Sequence, residues 1–67
     1  MREQLLKFLK AIPFRPFEVE LSSKVGYRIE TADHASVLRS ILVIEDDEGA
    51  ADLIAISHIA RLKIEPI

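Results

Sequence analysis

The side chains able to do chemistry are few and scattered. Two histidines, His34 and His58, are the only groups whose ordinary titration falls near neutrality. His34 follows Asp33, which makes an acid/base couple or half of a metal site. No third ligand type lies nearby and the chain has no cysteine, so a plain surface histidine is the stronger reading. His58 sits in a short link between two apolar segments, where a turn would aim it at a ligand or a subunit junction, or leave it solvated. Glu45-Asp46-Asp47-Glu48 offers four carboxylates of the kind hard cations accept. It lacks the every-second-residue spacing of a calcium loop and reads as a solvated hairpin turn. Arg15 stands between Phe14 and Phe17, which is either a base-stacking platform or, more simply, a hydrophobic staple beside an exposed arginine.

None of these makes a catalytic constellation, because a nucleophile or acid/base group must be held by a second group in a pocket. There is no Gly-x-Ser-x-Gly, no His-Glu-x-x-His and no glycine-rich phosphate loop; the chain contains two glycines in all. The expectation is a protein that is not an enzyme, with no cofactor and no metal. Nine Lys and Arg against eleven Asp and Glu give a net charge of -2, which exerts no general pull toward nucleic acid. No run of about 18 apolar residues exists to span a membrane, and the first ten residues are too charged for a signal-peptide core, so a cytoplasmic location is expected.

With 67 residues, 49% of them apolar, the chain is one small domain whose core only just offsets its conformational entropy. Disulfides are excluded, and two histidines do not make a structural zinc site. Self-association is the remaining usual support, and a mean hydropathy of +0.19 points the same way.

The elements that must position these residues follow from periodicity. Leu5, Leu6, Phe8, Leu9 and Ile12 fall on one helical face, with Glu3, Lys7 and Lys10 off it, so residues 1–12 are expected to form an N-terminal helix stopped by Pro13. Phe17 to Leu21 alternates apolar and acidic residues, and Val25 to Thr31 alternates again, so the two form an antiparallel hairpin in which Glu18 or Glu20 faces Arg28. Residues 32–39 lose the alternation and fit either an irregular excursion or a short helical turn, with Val37 and Leu38 inward. Ser40 to Ile44 and Ala50 to Ile56 look apolar on both faces: one face fills the core, the other meets the helix or a neighbouring subunit. Ala60 to Glu65 alternates, with Leu62 and Ile64 inward, and Pro66 ends it. The expected fold class is mainly β with an N-terminal helix, in which residues 17–65 form a five-stranded antiparallel, strongly bent small barrel.

A helix followed by five short strands, closing on Ile56-x-x-Ile59-x-x-Leu62-x-Ile64, resembles the Sm-like family, with its SH3-like small barrel. The resemblance implies homo-oligomers, rings or dimers, built by strand pairing between subunits, and RNA binding around a ring pore. The family's RNA-contacting Tyr-Lys-His triplet falls on Ile56-Ser57-His58, of which the histidine alone matches. The segment Phe14-Arg15-Pro16-Phe17 after an amphipathic helix also resembles a group of small bacterial proteins that carry no assigned activity. Their next turn holds Asp-Gly where this chain reads Ser-Ser-Lys-Val-Gly.

The functional expectation is a homo-oligomeric interaction module. An RNA-binding Sm-like protein is the alternative, using Arg15, Arg39, His58, Arg61 and Lys63 as a local basic surface. A small regulatory subunit that pairs a strand with another protein is a third. Neither a membrane nor DNA is expected as a partner.

Overall fold

The structure, a computed structural model, describes residues 1–65. Helix α1 spans Arg2–Leu9. Six strands follow: β1 (Phe17–Leu21), β2 (Gly26–Ile29), β3 (Ala35–Val37), β4 (Ile41–Glu45), β5 (Ala51–Ala55) and β6 (Ile59–Ile64). They form two three-stranded antiparallel sheets, ordered β2-β1-β6 and β3-β4-β5. The mainly-β class with an N-terminal helix is as expected. The five-stranded barrel is not: among the described residues there are six strands, divided three and three, and the sheets do not close. Two 3₁₀ turns account for the division. Ala32–His34 carries the chain from the first sheet to the second, and Ile56–His58 carries it back; each interrupts the strand ladder where a barrel would continue it.

Backbone bonds fix both crossings. The Ile56 amide donates to the Ser40 carbonyl at 3.0 Å, while the Ser22 amide and hydroxyl donate to the His58 carbonyl at 2.9 and 3.1 Å. Opposite the β1 end, the register slips so that Glu20 faces Arg61 and Leu21 faces Ile59, leaving Ala60 as the extra residue of a bulge. Bulges increase local bend and twist, which turns β6 out of the second crossing and into the first sheet.

The core lies between the sheets. Phe17, Val19 and Ile29 come from the first, Leu42, Ile44 and Ile54 from the second, Leu5 from the helix, and Ile56 and Ile59 from the return crossing. Phe17 is fully buried under the Phe8 ring, edge-on at a centroid distance of 5.2 Å, and the Phe14 ring at 6.1 Å. Phe17 thereby clamps the helix onto the sheets, and its ring is enclosed in the core.

Several local expectations are corrected. The helix ends at Leu9, one turn before Pro13, because the residue ahead of a proline is held out of the α region. Ile12 consequently leaves the apolar face and is 97% exposed. Residues 32–39 do hold a short helical turn, Ala32–His34, but they also contain a strand, β3, held by its ladder to β4. Val37 packs against the core, but Leu38 lies in the β3–β4 turn and is 52% exposed. Ile64 shares the face of Phe17 yet is 43% exposed, since it stands at the open edge of its sheet. Pro66, expected to end β6, lies outside the described residues.

Candidate functional site

The outward faces of the two sheets differ in chemistry. In an antiparallel pair, residues directly opposite each other share a face. On the first sheet the outward set is Glu18, Glu20, Arg28, Arg61 and Lys63. Arg61 pairs with Glu20, Nε to Oε1 at 3.0 Å. Arg28 forks onto Glu65, with Nε and Nη2 donating to its two carboxylate oxygens at 2.5 and 2.9 Å, and its remaining Nη1 pairs with Glu30. Hydrogen bonding to Glu65 raises the Arg28 pKa above its ordinary value, and hydrogen bonding to Arg28 lowers that of Glu65. Glu18 does face Arg28 across the ladder as expected, but it makes no ion pair with it; the guanidinium reaches instead for the strand end beyond β1.

On the second sheet the outward set is Ser36, Ile41, Val43, Leu53 and Ala55, with Glu45 and Ala51 at the turn end. Leu53 is 70% exposed, and Ile41, Val43 and Ala55 are half-buried. Strand β5 is also an edge: its ladder to β4 is its only pairing among the described residues, so its other side offers unpaired backbone groups.

The five basic residues singled out from sequence come from four elements. Arg61 and Lys63 alternate on the charged face of β6, Arg61 already paired with Glu20 and Lys63 bordered by Glu18 and Glu65. Arg15 lies on the connector after α1 and donates to the Glu65 carbonyl at 2.9 Å. Arg39 is exposed in the β3–β4 turn, and the exposed His58 ends the second 3₁₀ turn, tied through its backbone. The acidic run is the exposed β4–β5 turn, ordered by Asp46 Oδ1, which accepts from the amides of Glu48 and Ala50, each at 2.9 Å.

Of the hollows among the described residues, two gather groups that sequence periodicity did not bring together. One, of about 230 Å³, lies between β2 and the β4–β5 turn, where Tyr27, His34 and Asp52 meet the acidic residues. Among the described residues, no three His, Asp or Glu are gathered so as to hold a metal ion. The other, of about 220 Å³, has Phe8, Ala11 and Ile64 as its apolar floor and Lys7 and Arg15 at its rim. No sequence signal marks it: periodicity carries the helix through Ile12, whereas the structure ends it at Leu9 and leaves Ala11 beyond it.

No helix among the described residues is long and apolar enough to cross a membrane. Comparison with family models, curated proteins and solved structures finds no match for the chain.

Proposed function

We propose that this protein is a non-enzymatic, homo-oligomeric interaction module of the Sm-like or SH3-like kind, which self-associates through the outward face and free edge of β5. The observation that carries this is the contrast between the two sheets: one outward face is charged and internally paired, while the other is apolar along Ile41, Val43, Leu53 and Ala55. Burying a leucine as exposed as Leu53 contributes about 2 kcal/mol, and an edge strand adds backbone hydrogen bonds to any strand laid beside it. A domain this small gains from both.

RNA binding has less support. The five basic candidates are spread over four elements, with only Arg61 and Lys63 sharing β6, and Arg61 is already paired with Glu20. A salt-dependent RNA titration decides that alternative, since phosphate contacts make log K fall with log[salt].

Absolute mass by light scattering, measured behind size exclusion over a dilution series, tests the main proposal. A fixed multiple of 7.6 kDa supports it. A monomer at every concentration overturns it.

A further inference from the structure

We propose that the groove between α1 and β6 receives the Leu53 face of a second copy, so that the self-association inferred above is heterologous, head to tail. The proposal rests on that self-association and names the two surfaces that meet.

The chain is electrically bipolar. Residues 1–16 carry four Lys or Arg and one Glu, whereas residues 17–67 carry five Lys or Arg and ten Asp or Glu. The groove lies at the basic pole. Its rim cations lack carboxylate partners: among the described residues Lys7 makes no ion pair, and Arg15 donates only to a backbone carbonyl. A cavity of about 220 Å³ falls below the ~300–1,000 Å³ of small-molecule sites and suits an aliphatic side chain.

The complementary surface is on the other sheet. Leu53 is the most exposed large apolar side chain on any strand. On its face the next cross-strand pair toward the turn is Glu45 with Ala51, and the exposed turn carboxylates of Asp47 and Glu48 follow. An apolar knob beside carboxylates thus matches an apolar floor beside cations. The two surfaces share no residue, so both remain available on one molecule.

Charge also decides against the two-fold alternative. Docking the groove on itself would set Lys7 and Arg15 of one copy against the same cations of the other, and like charges brought together cost affinity. Unlike surfaces meeting head to tail generate a ring or a filament according to whether the rotation closes.

Two charge-reversed variants test the contact: Lys7→Glu with Arg15→Glu for the groove, and Glu45→Lys with Glu48→Lys for the face. Asp46, which orders the turn, is left intact. Each variant alone is expected to self-associate at least tenfold more weakly than the parent, while an equal mixture regains the parent's assembly with the two variants alternating, because the native and the doubly reversed contacts both pair opposite charges. The fourfold variant carrying both reversals regains assembly, which also shows that the substitutions leave the fold intact. If the parent assembles and either variant assembles equally well, the groove contact is wrong while the self-association stands. If both variants are monomeric but the mixture and the fourfold variant stay so too, charge pairing between these surfaces is overturned. A monomeric parent removes the self-association and this contact together.

Discussion

Val43 on β4 and Leu53 on β5 stand directly opposite each other on the outward face of the second sheet, Val43 half-buried and Leu53 70% exposed. Leu53 thus stands open to water on an edge strand beside a half-buried apolar neighbour. Leu53→Ser is therefore expected to change the stability of the isolated subunit by no more than about 0.5 kcal/mol, as exposed sites do, while weakening self-association. Urea unfolding of dilute protein and light scattering of concentrated protein measure the two effects separately. Equal loss in both would mean that Leu53 supports the subunit itself.

Phe17 is the opposite case, fully buried and clamped by two aromatic rings. Phe17→Ala is expected to cost about 3–5 kcal/mol, which is comparable to all the stability a core of this size supplies. The variant should lack a cooperative thermal transition by circular dichroism. Phe17→Leu should retain one at lower temperature.

The Arg28–Glu65 fork predicts a modest acid dependence. The folded Glu65 carboxyl has its pKa lowered below the ordinary 4.5 by its hydrogen bonds to Arg28. Its contribution is thus present above the unfolded value and is lost as pH falls through the folded one. Glu65→Gln should flatten the stability profile below about pH 4.5 and leave the neutral region nearly unchanged, because exposed pairs are weak. Urea midpoints measured from pH 3 to 7 check this.

Two turn residues hold left-handed backbone, Lys24 at φ 73° and Gly49 at φ 86°. A side chain costs about 1–2 kcal/mol in that conformation, so Gly49→Ala should destabilise although its added Cβ meets no atom within 4 Å. Lys24→Gly should stabilise by up to about 1 kcal/mol, since glycine adopts the same backbone without that strain. Paired unfolding curves with opposite signs are the expected result.

Asp46 Oδ1 accepts two backbone amides of the acidic turn. Asp46→Ala is expected to cost about 1 kcal/mol, close to the net worth of a typical hydrogen bond, whereas Asp47→Ala, which removes an exposed carboxylate that accepts neither of these amides, should be near neutral. Hydrogen exchange at the Glu48 and Ala50 amides would show the difference locally.

The sequence by itself determined the local elements. Apolar spacing places Leu5, Phe8 and Leu9 on one helical face, alternation from Phe17 to Leu21 makes β1, and the charges from Glu45 to Glu48 make an exposed turn; each depends on neighbours within a few residues. It also marked β4 and β5 as apolar on both sides. Tertiary structure alone decided which of those sides stays open, because period two assigns faces without saying what will cover them. Strand β3 was invisible for a related reason: three residues carry too little pattern, and their extended form is held by pairing with Ile44, Val43 and Leu42. The same holds for Arg28, whose partner Glu65 lies 37 residues away beyond the neighbouring strand. The groove beside Arg15 exists only because β6 returns to the first sheet and sets Ile64 against Phe8 and Ala11. Such contacts are fixed by the closing of long loops around a shared core, and no local spacing encodes them.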